Sequence, residues 1–290
     1  MSQTSTTPTA AQTLALLATP RTDAYWDQFK PANETEHLGA YMWGQAVSAS
    51  LHPLVGICEV VLRNAIHQAL SEDCSSGTSS SFAWYDRANQ KSVPLHGKSL
   101  EKVELILCQG TPPIRKAVQP SPDKVVSELT FGFWPNVMEG LSQRFAPKTF
   151  SNVFAFHPHS KPQHWSHLPN KEPVILRLKR LQDLRNRVCH FEPVWKPHWL
   201  GVSASNWSHS VQGLRNLNTE LLELLGWCSP DAVLAYKSSF GWNWFNKICT
   251  THAVRAFMSD HQTCALIPTF EPDTGKTSSP QLTTNLAAKE

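Results

Sequence analysis

Between Arg177 and Arg187 the sequence sets Arg177, Lys179, Arg180, Arg185 and Arg187 against one acid, Asp183. Val188, Cys189, His190, Phe191, Glu192 and Pro193 follow at once. The planar fork of arginine fits a phosphate, and histidine is the side chain that titrates near neutral pH. On a helix Asn186 and His190 are four apart and share a face, whereas Arg185 and His190 are offset by roughly 140°. Pro193 disfavours helical backbone at Glu192, so the helix is expected to end near His190. A histidine in a final turn is free to swing toward the Arg/Asn edge. That gathers a guanidinium, an amide and an imidazole around one anion-sized point, a set able to stabilise a phosphate and to move protons. The basic run, Arg180 and Arg187 included, would extend this as a positive face for phosphates. The plainer alternative is a solvated helix surface.

Glu59, Arg63, Asn64 and His67 form a second concentration. Glu59, Arg63 and His67 are four apart in turn and share a helix face. They read either as a supporting shell with a second anion contact beside Arg185, or as an internal ion pair in which Glu59 satisfies Arg63. Other constellations are weaker. Among His157, His159, His164 and His167, the first two lack a helical spacing and no cysteine joins them, so a metal site is not expected. Cys189 adjoins His190, but neighbours on a helix point apart, so it is expected to be a small core residue. Most of the 11 tryptophans are expected to anchor helices, with Trp195 and Trp199 the ones placed to stack a base.

The elements that must hold these residues are helical. Apolar residues recur at helical spacing from Tyr41 to Leu70, with Pro53 expected to break or kink the run. Ser99–Leu107 reads as a short helix capped by Ser99. Asp123–Phe145 reads as another, interrupted near Gly132 and Pro135. A Pro/His-rich connection from His157 to Pro173 leads into a helix over Val174–His190. Ser210–Leu225 is expected to end on Gly226 as a C-cap, and a last helix to span Trp244–Ser259. Residues 1–20 and 271–290 are polar and read as flexible tails, leaving one domain over residues 21–270. The fold class is all-α, a helical bundle.

Composition excludes collagen, a coiled-coil rod and a wholly disordered chain: hydrophobic residues make up 41% and charged ones 17% of 290 residues. The net charge of +3 is too small to identify a nucleic-acid binder by itself. Seven widely spaced cysteines without a C-x-x-C read as free thiols in a reducing cytoplasm. The longest apolar stretch, Leu54–Leu62, is interrupted by Glu59, so no membrane span is expected.

Leu184-Arg185-Asn186-Arg187-Val188-Cys189-His190-Phe191-Glu192-Pro193 resembles the R-N-x3-H signature of HEPN domains, in particular of the Abi-like (AbiD/AbiF-type) abortive-infection proteins. Glu59-Val60-Val61-Leu62-Arg63-Asn64 is similar to an E-x3-R-N helix near the start of such proteins, and the segment ending Glu128-Leu129-Thr130-Phe131-Gly132-Phe133-Trp134 to their ELTFGFW stretch. The resemblance covers about residues 41–230. It implies a HEPN-like bundle and, in active members, a metal-independent endoribonuclease that needs no cofactor. It further implies an active site assembled between two copies, with Arg185, Asn186 and His190 in the catalytic positions, and a role in phage defence or as a toxin restrained by an RNA or protein antitoxin. Phe191 departs from the pattern, which often carries a second histidine there. The rival reading is an inert HEPN module that binds RNA or a partner protein.

Overall fold

The central apolar run becomes the axis of the molecule. In the computed structural model, which describes residues 8–17 and 19–260, helix accounts for 68% and strand for 2%. Chain order is α1 (Ala10–Leu16), α2 (Thr19–Phe29), α3 (Glu34–Cys74), α4 (Gly97–Leu107), β1 (Cys108–Gln109), β2 (Ile114–Arg115), α5 (Pro122–Glu128), α6 (Phe133–Gly140) and α7 (Ala146–Val153). There follow α8 (Pro162–Trp165), α9 (Leu168–Cys189), α10 (Pro197–Leu200), α11 (Trp207–Cys228), α12 (Pro230–Lys237), α13 (Phe240–Ile248) and α14 (Thr251–Ser259). β1 and β2 pair antiparallel, Cys108 opposite Arg115.

α3 is 41 residues long, about 60 Å at 1.5 Å per residue. Asn33 caps it, its side chain accepting from the Glu36 amide at 3.0 Å, and Glu34 and Glu36 sit in the first turn where the helix dipole favours acids. Pro53 does not break it. The carbonyl that loses its partner there belongs to Ala49, on the exposed side, where water can serve it. By length and composition alone α3 could cross a bilayer, with a mean hydropathy of 1.4 over 18 residues. Here its apolar faces are covered instead by α7, α9, α11, α13 and α14. Trp43, Val47, Leu51, Leu54, Cys58, Leu62 and Ile66 are fully buried along it, and Trp43 Nε1 donates to the Ile248 carbonyl at 2.8 Å. One apolar core runs from Tyr25 to Val254.

Several boundaries differ from expectation for local reasons. The leader read over residues 1–20 gives way at residues 10–16 to a helix closed by a Thr9–Gln12 capping box, and α2 starts at Thr19; residues 1–7 and the tail 271–290 lie outside the described residues. α4 begins at Gly97, with Ser99 buried inside rather than capping it. α9 begins at Leu168, six residues before the expected start, because Pro169 is tolerated in a first turn. α11 runs through Gly226 to Cys228, and Ser229 ends it while capping α12, its hydroxyl accepting from the Ala232 amide at 3.2 Å. The expected last helix is two, divided where Thr250 caps α14. The ELTFGFW stretch is the turn between α5 and α6, and Phe131, Phe133 and Trp134 are buried in the core.

Candidate functional site

α9 ends as its sequence requires, with one addition. The Glu192 amide donates to the Arg187 carbonyl at 2.8 Å and the Phe191 amide to the Val188 carbonyl at 3.4 Å, a Schellman pair that stops the helix before Pro193. Such a stop needs a left-handed residue, usually glycine. Here it is Phe191, at φ +54°, a conformation that costs a bulky residue about 1–2 kcal/mol. Phe191 gains nothing back by burial, since it is 67% exposed. Arg21 Nη1 donates to its carbonyl at 3.5 Å, tying α2 to this turn.

His190 therefore stands exposed at the end of the helix, and its ring has no hydrogen bond or ion pair among the described residues. It lines a pocket of ≈ 230 Å³ between the α9 end, α2 and α3, together with Arg21, Tyr25, Gln45, Glu192 and Lys196. Tyr25 forms the floor. Its ring lies where a Cβ on Gly44 would be, 2.5 Å from Tyr25 Cε1, so only glycine at 44 admits it. Its hydroxyl and the neighbouring Trp195 Nε1 are both buried without a completed hydrogen bond, although Trp195 and Gln45 approach the hydroxyl. Burial pushes the Tyr25 phenol up to about 12, so it stays a donor at any working pH.

Arg185 does not join His190. It lies half-buried with Nε 3.6 Å from Glu59 Oε2 on α3, outside the His190 pocket. Asn186 is half-buried, and its carbonyl accepts the His190 amide at 2.9 Å, with no side-chain partner among the described residues. The single anion-sized point expected from Arg185, Asn186 and His190 is thus not formed within one chain: His190, at the C-cap, lines the pocket against α2. Nor is the basic run a free phosphate face. Arg177 pairs with Glu223 at 2.6 Å, Lys179 with Glu139 at 2.7 Å, Arg180 with Glu220 at 2.5 Å, and Arg187 with Glu192 at 3.3 Å. With Arg185–Glu59, every cation of the run has an acid on α3, α6, α11 or the following turn. Four of the five acids lie far off in sequence, which is why the local charge count missed them.

The second concentration divides. Glu59 serves Arg185 rather than Arg63, whose Nε donates weakly to Asn64 Oδ1 at 3.4 Å. Arg63, Asn64 and His67 line a separate hollow of ≈ 460 Å³ with Ser81 and Asp123, not a shell beside Arg185. His67 is buried, and its Nδ1 accepts from Trp84 Nε1 at 2.9 Å, which places the ring proton on Nε2, toward Ser81 Oγ at 3.4 Å and Asp123 at 3.7 Å. Burial lowers the affinity of His67 for a second proton, only partly opposed by Asp123. Protonation would also break the Trp84 bond. The unfolded chain therefore binds that proton first, and the stability this group contributes is present above the ordinary imidazole value of 6.5 and lost as pH falls below it. Urea midpoints at pH 7.5 and 5.5 should fall further for wild type than for His67→Gln, in which only His157 and His164, whose affinities are also lowered by burial, remain to act the same way; equal falls would contradict this.

His157, His159 and His164 do gather, ring centroids 5.1–6.0 Å apart against Trp165 and Trp227, but as a packed ring cluster. Among the described residues no group of three or more His, Cys, Asp or Glu side chains converges as a metal cage. Cys189 is exposed, not a core residue, because it falls on the outer side of α9 beside buried Val188. Trp195 is 1% exposed among Tyr25 and Phe29, so it cannot stack a base, and Trp199 is half-buried beneath Arg187 with its Nε1 held by the Val194 carbonyl at 2.9 Å. The exposed aromatic ring at the site is Phe191. Sequence reasoning missed Arg21, Tyr25, Gln45 and Lys196, which have no local signal, since only the docking of α2 and α3 against the end of α9 brings them together. No family model, no curated protein and no solved structure matches this chain.

Proposed function

We infer that this protein is a metal-independent endoribonuclease of the Abi-like HEPN type, cutting RNA in an abortive-infection or toxin role. The observation that carries the reading, together with the R-N-x3-H resemblance, is the exposed ring of His190, unpartnered among the described residues, in a pocket that also holds Arg21 and Lys196.

RNA carries its own nucleophile. A base removes the 2′-OH proton, the 2′-oxygen attacks the adjacent phosphorus, and the P–O5′ bond breaks as the leaving oxygen takes a proton. The products end in a 2′,3′-cyclic phosphate and a 5′-OH. His190 is suited to the proton transfers and Arg185 to the charge on the phosphate. Arg185 and His190 of one chain do not share a pocket, so the proposal requires two copies, each supplying part of the centre, as a homodimer. A restraining RNA or protein antitoxin belongs to the same proposal.

A second reading, an inert HEPN module that binds RNA or a partner protein, is favoured by one observation: the Arg185 guanidinium, which the nuclease would need for the phosphate, is instead paired with Glu59. The two separate on purified protein in EDTA given one sequence as RNA and as DNA. The nuclease reading expects RNA cut to cyclic-phosphate ends and DNA left intact. Cutting of the DNA would exclude the 2′-OH mechanism, and binding of RNA without cutting would favour the inert module.

A further inference from the structure

We propose that the pocket between the α9 end, α2 and α3 holds a single nucleobase, that of the nucleotide flanking the bond on which His190 acts. The proposal rests on the RNA-cleaving reading of His190 and specifies what that site recognises.

Four observations point the same way. The pocket is ≈ 230 Å³, below the range of about 300–1,000 Å³ that takes a drug-sized ligand, which suits one heterocycle and not a dinucleotide. On its α9 side it is lined by His190, Phe191, Glu192 and Pro193, the turn just past the negative end of that helix, where the Glu192 carboxylate offers an acceptor for the N–H groups of a base. The cations that do line the pocket, Arg21 and Lys196, are both exposed and make no ion pair among the described residues, so they are placed to hold phosphates outside it. Finally, Phe191 sits beside it in a left-handed conformation that its side chain disfavours, exposed to solvent, with its carbonyl held by Arg21. Glycine would make this turn without strain. An exposed ring kept there at a conformational cost has a use if a base stacks on it, since every base offers a π-face.

Recognition of the base edge falls to Gln45. Its amide offers both a donor and an acceptor, and it is half-buried on the pocket wall. Beneath it are the Tyr25 hydroxyl and Trp195 Nε1, two buried polar atoms whose bonds are incomplete. A small reorientation of Gln45 onto a base edge lets its other end complete the bond to Tyr25.

The test is equilibrium titration of the full chain, in EDTA, with the four nucleoside 3′-monophosphates, and with inorganic phosphate as the control. At least one nucleotide is expected to bind tenfold or more tightly than phosphate and tenfold more tightly than another base. Phe191→Gly should weaken that binding at least fivefold, and Gln45→Ala should flatten the preference among bases. Phe191→Gly relieves the turn, so it should melt at or above the wild-type temperature, and loss of binding cannot then be put down to misfolding. Nucleotides that bind no better than phosphate, or that bind Phe191→Gly as well as wild type, overturn the proposal. RNA cleavage is measured on the same samples. His190-dependent cleavage without nucleotide binding removes the base pocket and leaves the nuclease. Phe191-dependent nucleotide binding without cleavage supports the pocket and removes the nuclease.

Discussion

His190→Ala is expected, on the proposed nuclease function, to lower RNA cleavage by about 10²–10⁴-fold, the usual contribution of a positioned general acid or base, and to leave the melting temperature where it was. Both halves of that expectation come from one fact. The His190 ring is exposed and unpartnered among the described residues, so truncating it removes nothing from the core, whose nearest member on the helix is Val188. Arg185→Ala tests the other half of the centre. It should lower cleavage comparably while costing little stability, because a half-exposed pair such as Arg185–Glu59 contributes about 0–1 kcal/mol. Labelled RNA in EDTA and a thermal melt on the same preparations measure both. Cleavage by His190→Ala at the wild-type rate would refute the nuclease proposal. A large drop in melting temperature for His190→Ala would mean that the ring supports the fold instead.

Gly39→Ala carries the largest expected effect on stability. Gly39 lies on α3 where α14 crosses, and a Cβ there would overlap the Phe257 carbonyl and come within 2.6 Å of Met258 Cα. Both are backbone atoms, so no side-chain rotation relieves the contact. Either α14 lifts off or α3 bends, and the α3–α14 contact is among the most extensive in the molecule. Overpacking of this kind typically costs 1–3 kcal/mol, occasionally more, and an overlap with backbone belongs at the upper end. About 3 kcal/mol corresponds to a melting temperature lower by roughly 6–12 °C in a domain of this size class. Because the helix propensity of alanine alone would raise stability by about 1 kcal/mol, a neutral or stabilised variant would mean that α14 is not docked here.

The helical character of the chain was legible because it rests on local rules. Periodic apolar residues specify α3, Asn33 and Thr250 carry capping chemistry, and Pro193 marks the end of α9. Errors arose where two local rules compete or where tertiary packing decides. Gly226 has the form of a C-cap, but Ser229-Pro230 immediately beyond it makes the better junction. Pro53 breaks isolated helices, yet α3 continues through it with other helices packed on its faces. The site was legible in part. The exposure of His190 follows from its place after the last helical turn. Its separation from Arg185 is the roughly 140° offset of two helix positions five apart, which the final turn was expected to overcome and does not; the left-handed turn at Phe191 was not legible, because nothing in the neighbouring residues demands a phenylalanine there. The acids that neutralise α9 come from residues 59, 139, 192, 220 and 223, four of them far outside any window in which local charge is counted.

The paired cations of α9 also determine how an RNA would arrive. A helix whose charges are already matched casts little field into solution, so it cannot draw a polyanion in from a distance. Encounter should then run at the unsteered rate of about 10⁵–10⁶ M⁻¹s⁻¹ rather than at the diffusion limit. Only Arg21 and Lys196 remain at the pocket to displace counterions, and two such contacts with a single strand give a logarithmic salt slope of about −1.4 per chain. On the proposed function, RNA affinity should then fall only about sevenfold between 50 and 200 mM salt, where a binder making 6–10 phosphate contacts loses about 10³–10⁵-fold.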